Sequence, residues 1–323
     1  MSALPTAGVN SVANELLAGM IRGRALEAAV KTVSGFYHAA LGEEAVIVGA
    51  FKALAADDVG LPHYRGAIVA SLMRGATSRE LLAGIVGKVT GPTRGRQRGD
   101  FVGKFSDTHF GLFSGTLGPS IGYATGSALA ATLDGSNVAT LVTFGDGTSN
   151  SGLLYESLNI ASMLKLPVVF LCQNNQFAIS MPAEKAIAGG ALTKRAEAFG
   201  IAATLVDGND AMAVYEACRT ALAAARQGAG PHFIEARTYR AGGHWVSDPS
   251  AYRENLTPEI LSAQDPITRL AEAMIAGGSL DEMALAEIRK QADAEISEAM
   301  ALVQDDPWPE AGDVIATANA YAV

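Results

Sequence analysis

The pattern of apolar and polar positions indicates that the first part of the chain is helical. Residues 11–30 and 43–56 carry apolar side chains at helical spacing. The segment Thr77-Ser78-Arg79-Glu80 has the form of a capping box and predicts a helix that ends at about Val86.

From residue 119 onward, helical patterns alternate with short runs rich in Val, Ile, Leu and Phe. Short apolar runs between helices are typical of buried parallel strands, and right-handed crossovers place the helices on both faces of the sheet. The pattern therefore predicts an α/β fold with a doubly wound, mostly parallel sheet. The predicted helices cover 119–133, 151–163, 190–199 and 210–227, and the predicted strands cover 138–144, 167–172, 202–206 and 232–237.

These elements predict one domain, 1–323, with helical extensions at both ends. A helical N-terminal part (about 1–90) precedes an α/β core (115–256) and C-terminal helices (257–323). Two C-terminal helices are expected, the second beginning at Ser279-Leu280-Asp281-Glu282. Residues 90–112 show no sustained period, and such a long irregular stretch is typical of a functional or mobile segment.

Composition narrows the class of protein. Hydrophobic residues make up 49% of the chain and charged residues 18%, which favours a globular enzyme with much buried surface. The net charge of −9 and the absence of basic runs argue against nucleic-acid binding. The first residues lack the pattern of a secretory signal, and the longest strongly apolar run, Leu166 to Cys172, is too short to span a membrane. Cys172 and Cys218 lie in apolar patterns typical of reduced core residues, so we expect a cytoplasmic protein.

The strongest chemical signal lies after two neighbouring predicted strands. Gly145-Asp146-Gly147 follows the first strand and Asn174-Asn175 follows the next. One helix and one strand separate these clusters, so both belong to a single βαβ unit and lie at the same edge of the sheet, where α/β proteins bind ligands. Each cluster alone is typical of a turn or a loop. Their combination at this spacing favours a functional site.

The residue types in these clusters suit a diphosphate that is held through magnesium. Mg²⁺ prefers oxygen ligands and commonly combines one or two carboxylates with phosphate oxygens. Asp146 offers a carboxylate, Asn175 an amide oxygen, and the backbone near Phe177 a carbonyl oxygen. Glycines beside Asp146 allow the backbone to approach an anion closely, and amides at a helix start favour negative charge.

The run GDGTSNSGLLYESLNIASMLKLPVVFLCQNN resembles the thiamine-diphosphate motif of the alpha subunits of 2-oxoacid dehydrogenase decarboxylase components, a family that includes pyruvate, branched-chain 2-oxoacid and acetoin dehydrogenases. The similarity extends from about residue 20 to residue 255, with the family's segments in the same order. The other similar segments are Gly35-Phe36-Tyr37-His38 with Gly42-Glu43-Glu44-Ala45, Tyr64-Arg65, Gly115-Thr116-Leu117-Gly118, and Thr238-Tyr239-Arg240 with His244 and Ser247-Asp248-Pro249.

The resemblance implies how the cofactor's diphosphate would be bound. Asp146, Asn175 and the carbonyl of Phe177 would be the magnesium ligands. The amides of Gly147 and Thr148 would meet the diphosphate.

Further residues are expected around the rest of the cofactor. Arg65 would bind a diphosphate oxygen, because its planar guanidinium matches phosphate geometry. Tyr64, with the backbone of Gly115 and Leu117, would lie near the aminopyrimidine ring.

Two histidines are the catalytic candidates. By resemblance, His38 and His244 would line the mouth of the site, where they would stabilise anionic intermediates or orient the substrate, and His244 would also contact the cofactor. His63 has no role that the resemblance implies. Glu43 and Glu44 are interpreted as helix-start carboxylates near the positive end of a helix dipole.

Several positions on the substrate side depart from the family pattern. Gly242 stands where the first histidine of H-G-H is usual, and Trp245 where a serine is usual. Gly66-Ala67 replaces the usual histidine after Tyr-Arg, and residues 99–104 replace a G-G-S-M-H segment. A substrate other than pyruvate, or a divergent activity, is therefore compatible with the sequence.

The resemblance implies an enzyme that cleaves the bond next to a carbonyl group and passes the acyl group to a lipoyl group on a partner acyltransferase. The glutamate that activates the cofactor would come from a separate beta subunit, in an assembly of two alpha and two beta subunits. Two alternatives remain at this stage: a subunit of a split transketolase-like enzyme, and a non-catalytic homologue that binds the cofactor in a complex.

Overall fold

The computed structural model describes residues 6–96, 105–106, 108–110, 116–253, 257–313 and 315. The helices are α1 Thr6–Val33, α2 Glu44–Lys52, α3 Ala67–Met73, α4 Ser78–Val86, α5 Pro119–Leu133, α6 Gly152–Leu164, α7 Ala183–Ala186, α8 Leu192–Glu197, α9 Ala211–Arg226, α10 Pro258–Gln264, α11 Pro266–Ala276 and α12 Glu282–Asp305. The strands are β1 Val59–Leu61, β2 Phe105–Ser106, β3 His109–Phe110, β4 Thr140–Gly145, β5 Val168–Asn174, β6 Phe177–Ala178, β7 Met181–Pro182, β8 Ala202–Asp207 and β9 His232–Arg237.

The main sheet has the strand order β2-β3-β1-β4-β5-β9-β8. All of its neighbouring strands are parallel except the short pair β2 and β3. Strands β6 and β7 form a separate antiparallel hairpin. The predicted doubly wound, mostly parallel sheet is therefore confirmed.

The central strands are buried on both faces, which explains their continuous apolar runs. On β5, Val169 and Leu171 face one hydrophobic core, while Val168, Phe170 and Cys172 face the other. The first core includes side chains of α1, α2, α4, α9 and α12, and the second includes side chains of α5, α6 and α8. Helices thus cover both faces of the sheet.

Several predicted boundaries agree closely with the structure. Helix α5 covers the predicted residues, and the capping box of α4 is formed by Thr77 and Glu80. Cys172 and Cys218 are buried free cysteines, as expected. Among the described helices, none is both long and apolar enough to cross a membrane.

Other predictions were wrong. Three helices, not two, follow residue 256 in the described part of the chain, because Asp265 adopts an extended conformation before Pro266 and caps a new helix through Thr268 N. The short elements β1 and α3 were missed, since each is too brief to show a period. Most of the irregular segment 90–112 lies outside the described residues.

Candidate active site at the carboxyl edge of the sheet

The parallel register brings the two polar clusters of the sequence to one edge of the sheet. Gly145, the last residue of β4, pairs with Gln173 of β5, and Asn174 pairs with Arg237 of β9. Because the strands run in the same direction, the residues that follow β4 and β5 emerge side by side. The structure therefore places Asp146 and Asn175 at neighbouring strand tips.

Asp146 begins a short 3₁₀ turn, Asp146–Asn150, that leads from β4 into α6. Its side chain is buried, and its Oδ2 atom has no hydrogen-bond partner among the described residues. Burial, together with the nearby carboxylate of Glu43, raises the pKa of Asp146 to about 6. A buried carboxylate oxygen without a donor is costly, so this position is suited to a cation.

The two asparagines after β5 have different roles. Asn174 Nδ2 donates to Glu235 Oε1 at 2.8 Å and ties β5 to β9. Asn175 Nδ2 lies 3.0 and 3.1 Å from the two carboxylate oxygens of Glu43, and Asn175 Oδ1 accepts from Phe177 N at 3.2 Å. Asn175 is thus oriented by both its amide nitrogen and its amide oxygen.

The β6–β7 hairpin lies against the turn that contains Asp146. A Cβ atom added to Gly147 would lie 2.7 Å from Ala178 Cβ, so only glycine permits this approach. Gln176 and Ile179, on either side of β6, adopt left-handed φ angles of 69° and 57°. The close approach of Gly147 to the hairpin brings the Phe177 segment to the Asp146 turn.

Glu43 is a central residue of the site that the sequence interpretation underestimated. It lies at the N-cap position of α2, as predicted, but its side chain forms no capping hydrogen bond. The side chain is fully buried and accepts from Gln173 Nε2 at 2.5 Å as well as from Asn175. Its neighbour Glu44 is also buried and forms an ion pair with Arg24 at 2.7 Å. These carboxylates are therefore internal partners of other polar groups, and their nearness to a helix dipole is a secondary feature.

Arg65 connects the strand tips with a group of aromatic rings. The residue is 2% exposed, and its Nε lies 3.6 Å from Glu43 Oε1. Nη1 donates to Ala39 O at 2.8 Å, and Nη2 donates to His244 O at 3.0 Å and lies 3.2 Å from His244 Nδ1. Most of its donors are therefore used within the chain.

The aromatic group contains both histidines that the sequence singled out. The ring centroids of His38 and His244 are 4.6 Å apart, and those of His38 and Tyr64 are 5.1 Å apart. The sequence had assigned no role to His63, and its ring centroid lies 4.2 Å from that of Tyr64. Burial and the positive charge of Arg65 lower the pKa of His244 to about 4 and that of His63 to about 3. Both rings are therefore neutral at pH 7.

The loop that carries His244 is held by internal hydrogen bonds. Asp248 Oδ2 accepts from His244 N at 2.6 Å and from Tyr252 Oη at 2.5 Å. Arg240, which is fully buried, donates to Tyr252 Oη at 2.8 Å. This network fixes the main chain of His244 independently of its ring.

Two large aromatic side chains are exposed beside the histidines. Phe36 is 56% exposed and Trp245 is 36% exposed, and their ring centroids are 6.5 Å apart. Phe36 also contacts His38 edge to face, at 5.0 Å between centroids. Trp245, at a position where the sequence departs from the family pattern, therefore lies at the rim of the histidine group.

Both the backbone conformation and the local packing explain why a glycine follows Tyr64-Arg65. Gly66 has a φ of 95° and is the N-cap of α3, and a Cβ atom at this position would lie 2.1 Å from Ile47 Cδ1. A side chain at position 66 would therefore disturb the packing of α2 against α3.

Not every predicted residue is placed by the structure. Gly115 lies outside the described residues. Leu117 is exposed just before α5. A Cβ atom added to Gly118, the N-cap of α5, would lie 3.0 Å from Ser151 Oγ. Leu117 therefore lies near the segment that follows the Asp146 turn.

Two histidines lie away from this site. His109 is buried between Phe51 and Ser71, whose Oγ lies 3.0 Å from His109 Nε2. His232 is the first residue of β9, at the opposite edge of the sheet. The structure thus separates the histidines of the site from structural ones.

The structure brings most of the candidates together, and it adds residues that the sequence interpretation had not assigned to the site. At the strand tips lie Asp146, Asn175 and the Phe177 segment. Arg65 joins this group to the rings of His38, Tyr64 and His244. The added residues are Glu43, His63 and Gln173. Gln173 precedes Asn174-Asn175 at the end of β5, which is the one sequence signal that pointed to it.

Comparison with known proteins identifies the family. Residues 14–312 match the family described as "Dehydrogenase E1 component". The chain is 37% identical over 287 residues to the chloroplastic alpha-3 subunit of the pyruvate dehydrogenase E1 component of Oryza sativa subsp. japonica, covering 85% of this chain and 66% of that protein.

Two bacterial relatives show the range of activities among similar proteins. The alpha subunit of the pyruvate dehydrogenase E1 component of Rhizobium meliloti is 33% identical over 286 residues, which cover 87% of this chain and 81% of that protein. The alpha subunit of acetoin:2,6-dichlorophenolindophenol oxidoreductase of Bacillus subtilis is 32% identical over 282 residues, covering 87% and 84%. The resemblance seen in the sequence is confirmed, and the chain belongs to the dehydrogenase E1 component family.

Proposed function

We propose that this chain is the alpha subunit of a 2-oxoacid or acetoin dehydrogenase, and that it holds thiamine diphosphate through Mg²⁺ at the carboxyl edge of its sheet. Membership of the E1 family implies an oxidoreductase component that uses thiamine diphosphate. We further propose the metal, its ligands and the partner subunits.

The observation that carries the metal proposal is the buried Oδ2 of Asp146, which has no hydrogen-bond partner among the residues that the structure describes. A buried carboxylate oxygen gains most from a cation when no donor in the chain satisfies it. Asn175 Oδ1 accepts one hydrogen bond from Phe177 N and has a second lone pair for a metal ion. With the Phe177 carbonyl, these atoms form a set of hard oxygen ligands, the kind that Mg²⁺ prefers.

The same geometry supports binding of a diphosphate. Gly147 and Thr148 lie at the start of the turn that leads into α6, and their amides are proposed to meet the diphosphate near the positive end of a helix. Arg65 donates to Ala39 and His244, and we propose that its remaining Nη1 hydrogen meets a phosphate oxygen. Arg65 is thus proposed as both a diphosphate contact and a support of His244.

When bound, the cofactor supplies the carbanion that attacks a carbonyl carbon and allows the neighbouring bond to break. The chain's own residues bind and orient the reactants. Asp146 and Asn175 hold the metal, and Tyr64 with the Leu117 backbone is proposed to lie along the aminopyrimidine ring. His38 and His244 are proposed to face the substrate.

The glutamate that activates the cofactor is proposed to come from a beta subunit. Each glutamate described near the site already has partners in this chain. Glu43 binds Asn175 and Gln173, and Glu44 binds Arg24. Glu27 accepts from Tyr37 Oη at 2.9 Å and from a backbone amide. A lipoyl-bearing acyltransferase is proposed as the acyl acceptor.

The test is binding of thiamine diphosphate and Mg²⁺ to the chain co-purified with its beta subunit. Asp146→Asn removes the anionic oxygen while it keeps the volume of the side chain. We expect titration calorimetry to show at least a hundredfold weaker binding for Asp146→Asn, because a metal ligand is lost. The exposed Asp134→Asn serves as the matched control and should bind as the wild type does.

Turnover then separates the possible activities. The loaded complex is assayed with 2-oxoacids and acetoin using an artificial electron acceptor, and with sugar phosphates. Oxidation of a 2-oxoacid or acetoin supports the proposal, and ketol transfer between sugar phosphates indicates a transketolase-like enzyme. Cofactor binding without any turnover indicates a non-catalytic homologue, and wild-type affinity in Asp146→Asn rejects the metal assignment.

A further inference from the structure

The contact between Arg65 and His244 determines which ring nitrogen of His244 carries a proton. Arg65 Nη2 lies 3.2 Å from His244 Nδ1, and the same Nη2 donates to the backbone oxygen of His244 at 3.0 Å. A guanidinium group has only donors and stays charged at all ordinary pH values. A hydrogen bond between these groups therefore requires that Nδ1 be the acceptor.

We infer that Arg65 holds His244 as the neutral tautomer with its proton on Nε2, so that His244 offers a hydrogen-bond donor to the ligand. In this role Arg65 is a positioning residue, and His244 is the group that touches the reactants. Because Nδ1 already accepts from Arg65, it is not available to take a proton from the substrate.

The surroundings of the ring favour the neutral form. Arg65 Nε lies 3.6 Å from Glu43 Oε1, so its charge is partly balanced on the side away from His244. Burial of the ring, followed by the positive charge of Arg65 and by His38 and Arg240, opposes protonation of His244. Asp248 has the opposite influence, but its carboxylate is bonded to the His244 backbone amide and to Tyr252.

The half-buried ring leaves Nε2 available. The structure gives Nε2 no hydrogen bond to any residue that it describes, whereas Nδ1 and both backbone polar atoms of His244 have partners. A neutral imidazole N–H that is polarised by a cation at the other ring nitrogen is a fixed dipole in a partly dry site. Such a dipole stabilises negative charge that develops on an oxygen atom.

This inference rests on the proposed function only for the identity of the acceptor oxygen, which would belong to the carbonyl substrate or the diphosphate. The tautomer follows from the chain alone. The two are therefore tested by separate measurements.

The tautomer is measured by solid-state NMR of the full chain with ¹⁵N-labelled histidine. The chain has five histidines, so single substitutions assign every ring. At pH 7, we expect the wild-type His244 to show a protonated Nε2 and an unprotonated, hydrogen-bonded Nδ1. Arg65→Lys should shift the Nδ1 signal, because the planar guanidinium group that donates to Nδ1 is lost. A protonated Nδ1 on His244 in the wild type would overturn the inference, whatever the activity of the complex.

The role is measured by comparing His244→Gln with His244→Ala in the reconstituted complex. The glutamine amide can present an N–H near the place of Nε2 but is a poor proton acceptor. We expect His244→Ala to lower kcat by about a hundredfold or more, and His244→Gln to keep kcat within about tenfold of wild type. His232→Gln, at the opposite edge of the sheet, is the control and should be unchanged.

A general acid–base role predicts a different pattern. Both variants would then lose about 10²–10⁴-fold, and the wild-type pH profile of kcat would contain a limb that both variants lack. That result would overturn the donor role even if the tautomer were as inferred. Loss of cofactor-dependent turnover in all proteins, with the NMR result as expected, would instead count against the proposed function.

Discussion

The side-chain amide nitrogen of Asn175 lies 3.0 and 3.1 Å from the two carboxylate oxygens of Glu43 and joins the tip of β5 to the start of α2. Arg65 extends this connection, because its Nε lies 3.6 Å from Glu43 Oε1. Glu43 thus orients one proposed metal ligand and one proposed phosphate ligand at the same time. Its carboxylate lies close enough to Asp146 to raise the pKa of that acid.

Substitution of Glu43 by Gln is expected to destabilise the chain and to weaken cofactor binding. The change leaves Arg65 without its buried counter-charge, and removal of one partner of a buried ion pair costs about 3–5 kcal/mol. Chemical denaturation at pH 7 measures the free energy of unfolding, and calorimetry measures the cofactor affinity. The exposed Glu156→Gln on α6 is the control, and an equal result for both variants would contradict the central role of Glu43.

Gly147→Ala is expected to weaken cofactor binding at least tenfold. The new Cβ would lie 2.7 Å from Ala178 Cβ, so the hairpin with the Phe177 carbonyl must move away from Asp146. A displacement of this kind disturbs metal geometry, to which Mg²⁺ is sensitive. Gly152→Ala is the matched control at the start of α6, where an added Cβ meets nothing within 4 Å. Wild-type affinity in Gly147→Ala would show that the hairpin does not contribute a ligand.

A comparison of Gly66→Ala with Gly75→Ala is expected to separate the stability cost of backbone strain from the stability cost of a packing clash. Both glycines have left-handed φ angles, 95° and 85°, but an added Cβ clashes with Ile47 only at Gly66. Alanine at Gly75 should cost about 1 kcal/mol for its conformation. Alanine at Gly66 should cost more, by about 1–3 kcal/mol, because α2 and α3 must shift. Equal losses in thermal or chemical unfolding would show that Ile47 adapts without cost.

Glu27→Gln is expected to remove a pH dependence of stability. Burial, followed by repulsion from Glu44, raises the pKa of Glu27 from 4.5 to about 8, although Tyr37 and Arg65 oppose this effect. The folded state therefore favours the protonated acid, so the stabilisation is complete below pH 4.5 and is lost as the pH rises through about 8.

The measurement for Glu27 is the difference in unfolding free energy between Glu27→Gln and wild type at several pH values. The variant should gain up to about 1.4 kcal/mol per pH unit relative to wild type between pH 5 and pH 8, with no further gain above that range. A difference that stays constant with pH would show that Glu27 is ionised throughout.

The sequence predicted element boundaries best where capping residues or a clear apolar run marked them. The capping box at Thr77-Ser78-Arg79-Glu80 determined the start of α4, because its hydrogen bonds join residues only three positions apart. Strand β9 was predicted with its observed bounds, since its buried Phe233 and Ile234 form a short apolar run that follows a helical pattern. The extra helix boundary at Asp265-Pro266 was missed because both neighbouring segments have helical periods.

The metal ligands and the polar network around them differ in how far the sequence reveals them. Asp146 and Asn175 could be paired from the sequence alone, because consecutive parallel strands present their ends at one edge. Glu43 could not be assigned to that site, since it is more than a hundred residues from either of them and its position depends on how α2 packs on the sheet. His63 was missed because the resemblance implied no role for it, although it directly precedes Tyr64.

The order and chemistry of the chain therefore determined by themselves the α/β fold, the family, and the pair of strand tips that carries Asp146 and Asn175. Only the tertiary structure decided that Glu43 and Arg65 join those tips to the histidines, and that His244 faces a guanidinium group. Local periodicity and capping depend on neighbours in sequence, whereas the charge and protonation of a buried group depend on every element packed around it.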